Sequence, residues 1–481
     1  MAHPSRWAVS DPVHRPPSLP QTRTPDHHEP RRLGRDVVWL WAGYLGRSLG
    51  YLGLIVVFTR SLGASGFGTL SVFLAVVFGV SQVAGSWPFL AVPVLQARRG
   101  SIAAAFRPSF HVAAIATAAS LLVALPVCLA LGVDQPISLL AVVLSSVALV
   151  GLQGIFAVLQ TEGRMRGIAL LQAGERAIAL PLALGAALTT GLAVVGAQLI
   201  VTFAAAVVCA VAYAVIGRRQ RLFSRRYGEP PEHLVSTVMD AVGAMGLVSL
   251  CSYGVAYADI FVLAIFRSHT DVGIYSLAYQ VFSFISVLSS YWLVVALPEH
   301  ARSSAAGREL REQLPLPSLA WYTALWAALV GLAGIAAAFA LPVVFGTGFE
   351  AATEPLLLLL GGSAVFGAVY FAMVPALVGG SRSGVVARAA VGSVVVNIVL
   401  DVALVPSLGV IAPALATFGQ TIVGSVTLAI AVLGTRSALR LLAVATPVAA
   451  TTMLLAVDPD DLVLVGLSLL AAAGTVLWAL A

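Results

Sequence analysis

Residues Tyr253–Gln280 read YGVAYADIFVLAIFRSHTDVGIYSLAYQ, and their pattern occurs twice in the chain. The stretch predicts the outer half of an apolar helix, a short polar loop and the start of the next helix. The earlier copy is Phe58–Leu70, FTRSLGASGFGTL. Arg60 matches Arg267, Ser61 matches Ser268, Gly66 matches Gly273 and Leu70 matches Leu277, each pair 207 positions apart without a gap. Phe67 stands where Ile274 does, and Thr69 where Ser276 does. The chain therefore reads as two related halves.

Hydrophobic residues make up 59% of the 481 and charged residues only 10%, with a mean hydropathy of +0.96. A soluble domain carries roughly 25% charged residues. A chain this apolar has no water-soluble core, and its uncharged runs of about 20 residues predict membrane-spanning helices rather than the alternating strands of a barrel. There is no lysine, so the net charge of +6 comes from arginine. Its placement speaks of membrane topology and not of nucleic acid. Cys128, Cys209 and Cys251 fall inside apolar runs and read as small core residues. The histidines lie in the N-terminal segment or near helix ends, so no metal constellation is expected. The first 35 residues lack the apolar segment of a signal peptide.

Residues 1–35 predict a disordered basic cytoplasmic tail. Spans follow at 36–60, 66–95, 111–131, 137–159, 167–188 and 192–216, forming an N-lobe over 36–217. A basic, proline-containing linker occupies 218–235, and a C-lobe over 236–434 holds spans at 239–266, 273–297, 321–345, 355–377, 385–405 and 410–433. A last pair, 441–457 and 462–481, makes up 435–481 and has no counterpart in the repeat. These fourteen spans are each long enough, at roughly 1.5 Å per residue, to cross a core of about 30 Å. Arginine tests the count, because cytoplasmic loops collect positive charge. With the N-terminus cytoplasmic, alternate loops hold Arg98, Arg99 and Arg107, then Arg164 and Arg166, Arg218 to Arg226, Arg302 to Arg311, Arg382 and Arg388, and Arg436 and Arg440. The other side carries Asp134, Asp271, Glu350, Glu354 and Asp458 to Asp461, with Arg60 and Arg267 as its only bordering arginines. Both termini are thus expected in the cytoplasm. Six helices separate the two copies, so the repeats are parallel and related by an axis along the membrane normal. A weaker echo, Gly163-Arg164 and Gly191-Leu192 against Ser381-Arg382 and Gly409-Val410, lies 218 positions apart.

Three segments carry a family resemblance: Arg60 to Gly68, Asp259 to Tyr275, and Asn397 to Gly409, NIVLDVALVPSLG. They resemble the polysaccharide flippases of the multidrug, oligosaccharidyl-lipid and polysaccharide exporter superfamily, over nearly everything from Asp36 to Ala481. The resemblance implies an all-α, V-shaped, alternating-access transporter of the bacterial cytoplasmic membrane, not an enzyme. Its implied cargo is an oligosaccharide on a polyprenyl diphosphate, moved to the outer leaflet for surface polysaccharide assembly. It also implies polysaccharide polymerase or ligase machinery as partners, and membrane lipids around the chain. No cofactor or resident metal is expected.

Charged groups inside spans cost roughly 2.5–3.5 kcal/mol on insertion scales and usually face a cavity or a partner. Arg47 lies near the middle of the first span, with Tyr44 and Tyr51 at i−3 and i+4 on its face. Arg176 lies deep in the fifth span, with Gln172 one turn away. Arginine offers permanent charge and bidentate donors to a diphosphate. Arg47, Arg176, Tyr44, Tyr51 and Gln172 are therefore the candidate substrate-binding residues. The competing structural reading pairs each arginine with a buried carboxylate such as Glu175, whose adjacency in sequence points it elsewhere on the helix. Asp259 is the candidate ion-coupling residue, with Ser252 two turns earlier on the same stripe and Asp401 and Asn397 as further candidates for a proton or sodium ion. The competing reading for these is a fixed ion pair or a helix-end hydrogen bond.

Two other functions remain open. A membrane glycosyltransferase or polymerase would use the acidic Asp458-Pro-Asp460-Asp461 loop, which is short and has no extramembrane domain beside it. A multidrug exporter would share the fold and differ in cargo. No phosphate-binding glycine loop or nucleophile motif supports nucleotide-driven transport. Pro126, Pro181, Pro375 and Pro447 are candidate hinges within spans.

Overall fold

The computed structural model describes residues 29–99, 101–220, 222, 234–286, 316–379 and 382–457, with a few isolated positions beyond. Every regular element among them is helical. Lipid offers no partner to a free peptide group, and a helix satisfies its own.

Glu29–Arg99 runs as one helical stretch broken at Gly63, whose φ of 65° and ψ of −178° only a glycine takes without strain. The break makes two crossings, α1 (29–62) and α2 (64–99). There follow α3 (Ile102–Ala130), α4 (Pro136–Thr161), α5 (Met165–Thr189) and α6 (Val194–Ala212), the last extended by a π turn at Tyr213–Gly217. Then come α7 (Leu234–Phe266), α8 (269–286) and α9 (Leu316–Phe345). The crossing α10 (353–379) contains a π segment at Leu359–Ala364. The order closes with α11 (Ser383–Leu408), α12 (Ala412–Leu433) and α13 (Thr435–Val457). Seven stretches among the described residues are long and apolar enough to cross a membrane. Two of these, Ala42–Gln96 and Gly384–Leu433, are 55 and 50 residues long, about twice the need of one crossing.

Several expected boundaries shift. The tail and first span meet differently, because the helix already begins at Glu29; residues 1–28 lie outside the described residues. The loop expected between the first two spans shrinks to the single break at Gly63, and that between α7 and α8 to Arg267 and Ser268. α3 starts nine residues earlier than expected, at Ile102, where Ser101 caps it through Ala104. Most of the span expected at 462–481, the acidic loop at 458–461 and most of the 218–235 linker fall outside the described residues. Helices run on through Pro126, Pro181 and Pro447.

Helices α1 to α6 pack on one another, α7 and α9 to α13 pack on one another, and α1–α2 meets α7 between the two groups. The repeated segments form the tightest part of that meeting. A Cβ on Gly68 would overlap the His269 carbonyl, and one on Gly273 would overlap the Ala64 carbonyl. Only glycine lets the two backbones cross this closely. The matched arginines each cover the last carbonyls of a helix, groups the helix cannot satisfy itself. Arg267 donates to Val405 (3.1 Å) and Pro406 (2.8 Å) at the end of α11, within its own group. Arg60 instead reaches across, to Val344 (2.9 Å) and Val343 (2.6 Å) at the end of α9.

The crossing is testable by substitution. Gly68→Ala must push α2 from α8, at a cost of about 1–3 kcal/mol for overpacking. Spin labels at the exposed positions Ser65 and Thr270, in a background without the native cysteines, are expected to report a longer distance in this variant. An unchanged distance would contradict the close crossing.

Candidate functional site: an arginine and tyrosine cavity and a buried acidic cluster

The cavity starts from a run of glycines. Gly43, Gly46, Gly50 and Gly53 share one face of α1, and against them lie Ala169, Ala173, Arg176 and Leu180 of α5. A Cβ on Gly43 would overlap Ala169, and one on Gly50 would stand 2.7 Å from the Arg176 Cβ. Small residues allow such close helix contact in lipid. Tyr44, Arg47 and Tyr51 each follow one of these glycines, about 100° round the helix. They point into a cavity of about 380 Å³ between the two helix groups.

Arg176 enters the same cavity from α5. The opposite wall is uncharged and aromatic, with Tyr253 and Tyr257 of α7 and Tyr279, Gln280 and Phe284 of α8. Tyr253 also donates to the Ala75 carbonyl at 3.0 Å, and Gln82 to Ser249 at 2.8 Å, so α2 and α7 are hydrogen-bonded beside the cavity.

The two arginines differ in what holds them. Arg176 is 4% exposed, its Nη1 lies 3.3 Å from Glu175 Oε1, and its guanidinium sits 4.8 Å from the Tyr51 ring centre. The expectation that Glu175 points away is thus corrected: both side chains are buried, and the long guanidinium bends back to its neighbour. Its Nε keeps no hydrogen-bond partner. Arg47 lies 6.0 Å from the Tyr44 ring centre and, among the described residues, has no carboxylate within salt-bridge range. Gln172 does not line the cavity; its Oε1 is buried without a partner.

A second cluster is buried within α7, α8, α11 and α12. Asp259, Tyr275, Asn397 and Asp401 are each 0% exposed and Thr417 2%. Asp259 Oδ2 accepts from the Tyr275 hydroxyl and, at 2.8 Å, from Thr417 Oγ1. Asp401 and Asn397 approach the same carboxylate from α11. Asp259 Oδ1, both Asp401 oxygens and both Asn397 amide atoms have no well-formed hydrogen bond. Two carboxylates and neutral oxygen donors make a set suited to a hard cation or a shared proton. Among the described residues no group of three or more His, Cys, Asp or Glu side chains is placed to hold a metal ion. Ser252 is not part of this set: it is exposed and donates to the Val248 carbonyl at 2.9 Å.

A model of the polysaccharide biosynthesis protein family matches residues 33–303, more than half of the chain. The chain belongs to the polysaccharide biosynthesis protein family. No curated protein sequence matches it. Among solved structures, this family member is similar to the lipid II flippase MurJ in an inward closed conformation, with 14% identity over 91% of this chain and 98% of that one and a TM-score of 0.67. An inward-facing multidrug resistance transporter of the MATE family matches with 14% identity, 82% and 95% coverage and a TM-score of 0.59. The MATE transporter VcmN of Vibrio cholerae matches with 16% identity, 85% and 97% coverage and a TM-score of 0.52. These likenesses establish the fold, which this chain shares with those proteins. Its long apolar helices make it a multi-pass membrane protein.

The sequence pointed to Tyr44, Arg47, Tyr51 and Arg176, which the fold brings to one cavity, and to Asp259, Asn397 and Asp401, which it brings to one cluster. It did not point to Tyr275 and Thr417, or to the glycine run that seats α5. That run was visible as Gly43, Gly46, Gly50 and Gly53 on one helical face.

Removing the partner of a buried charge costs about 3–5 kcal/mol. Arg176→Ala strands buried Glu175 and is expected to lower the thermal unfolding temperature clearly, with Glu175→Gln in the same chain restoring much of it. Arg47→Ala, with no carboxylate to strand, should unfold close to the parent. Equal losses in the two single variants would contradict this division.

Proposed function

We propose that this family member flips a polyprenyl-diphosphate-linked oligosaccharide from the inner to the outer leaflet of the bacterial cytoplasmic membrane, supplying surface polysaccharide assembly. The observation that carries the reading is the pair of guanidiniums, Arg47 and Arg176, facing one cavity between the two helix groups. A diphosphate is a multivalent anion, and two planar cations in a low-dielectric cavity suit it. Arg47, with no carboxylate in salt-bridge range among the described residues, is the primary contact, and Arg176 keeps Nε for the same ligand. Tyr44 and Tyr51 shape the site around them, and Gln172 acts only through α5.

The two helix groups serve as lobes, N-lobe and C-lobe, that rock about the cavity. The arginine-rich loops face the cytoplasm by the charge rule, with both termini on that side. The Gly68–Gly273 crossing then lies on the outer side and closes the cavity outwards in this conformation. Asp259, Asp401 and Asn397, with Thr417, take up a proton or sodium ion and couple flipping to its gradient. A polymerase or ligase would receive the glycan on the outer side. The two cationic side chains argue against cationic drugs as cargo.

The test is transfer of a fluorescent polyprenyl-diphosphate sugar in proteoliposomes. Transfer without added nucleotide is expected, with an initial rate about 10- to 100-fold lower in Arg47→Ala, the loss of one hydrogen bond to a charged group. Asp259→Asn should abolish stimulation by an imposed proton or sodium gradient. Efflux of cationic drugs with no lipid transfer would overturn the proposal.

A further inference from the structure

Helix α8 touches three parts of the molecule at once. Tyr275, fully buried, donates its hydroxyl to Asp259 of the acidic cluster. Gly273, two residues earlier and so about 200° round the helix, faces the other way, against the Ala64 carbonyl of the N-lobe. Further along, Tyr279, Gln280, Ser283 and Phe284 line the cavity. One helix therefore joins the cluster, the lobe contact and the cavity wall.

We propose that Tyr275 is the positioning residue that links the acidic cluster to the Gly68–Gly273 crossing: a cation taken up by Asp259 and Asp401 displaces the Tyr275 hydroxyl and frees the start of α8 to leave α2. The proposal rests on reading that cluster as the ion-coupling site. Asp259 Oδ1 and both Asp401 oxygens lack a well-formed hydrogen bond, so a cation between them gains oxygen ligands at once. Asp259 Oδ2 is already shared by two hydroxyls, and a cation drawing on that oxygen's charge weakens both bonds. The Tyr275 ring is enclosed and lies 6.1 Å from the Tyr279 ring. Its hydroxyl has no solvent to turn into, so losing Asp259 moves the helix rather than the side chain. Gly273 and the cavity-lining residues move with it. The titratable groups facing Asp259 are Asp401 of α11 and Tyr275 and Tyr279 of α8, while α11 and α12 add neutral Asn397 and Thr417. A proton and a sodium ion could each supply the charge, and the experiment separates them.

The full chain in nanodiscs, without its native cysteines and with spin labels at Ser65 and Thr270, is titrated with sodium at fixed alkaline pH. A second titration adds acid in potassium alone. In the parent, one of the two cations is expected to lengthen the distance between labels. Tyr275→Phe keeps the ring and should reach the same lengthening at about 10- to 100-fold less cation, the effect of one hydrogen bond to a charged group. Gly273→Ala acts from the opposite face by crowding Ala64. By linkage it should raise cation affinity by the factor by which it favours the separated state. A structural role alone would leave these midpoints unmoved. If both variants keep the parent midpoint while Asp259→Asn abolishes the response, the link through Tyr275 is refuted and the ion-site reading stands. If Asp259→Asn responds as the parent does, the ion-site reading falls and the proposal with it.

Discussion

The close passage of two backbones at Gly68 and Gly273 is the constraint on which the rest of the structure depends. Each glycine leaves room for a peptide carbonyl of the other segment, so the segments meet at a distance no side chain permits. Around that point the two halves diverge into separate helix groups, and the space between the groups becomes the cavity. Arg60 reinforces the contact by reaching from α1 to the end of α9, whereas its counterpart Arg267 stays within its own group. The repeat therefore supplies two similar turns, and divergence at one arginine turns one of them into a tie between halves.

Lipid makes charge costly, and the ways in which buried charges are held separate support from function. Arg176 and Glu175 form an ion pair beside the close packing of α1 and α5. Arg47 is left facing the cavity of about 380 Å³, opposite its aromatic wall. Asp259 and Asp401 form the opposite case, two like charges brought together with no cationic side chain among their described neighbours. The hydroxyls of Tyr275 and Thr417 meet the same Asp259 oxygen.

Much of this was legible in the sequence. Composition and arginine placement indicated a helical membrane protein, and the spacing of the repeat divided it into two related halves. The residues Arg47 and Asp259 stood out because an apolar span makes a charge conspicuous. What stayed hidden depended on distance in space. Nothing in the order of residues says that Thr417 meets Asp259 158 positions away, or that Arg176 bends back to Glu175. Tyr275 lay inside the very segment that revealed the repeat, yet a tyrosine in an apolar helix reads as core until its hydroxyl is seen on a carboxylate. The loops beside Arg60 and Arg267 were read as longer than they are, because Gly63 turns the chain in a single residue.

The central claim is that the cavity holds the diphosphate of a lipid-linked glycan against Arg47. A polyprenyl diphosphate sugar with a photoreactive group beside its phosphates, activated in membranes containing the full chain, tests this most directly. The account predicts attachment within 44–51 of α1 or 172–180 of α5, suppressed by excess unlabelled polyprenyl diphosphate and lost in Arg47→Ala. Attachment confined to the lipid-facing helices, unaffected by competitor or by the loss of Arg47, would contradict it.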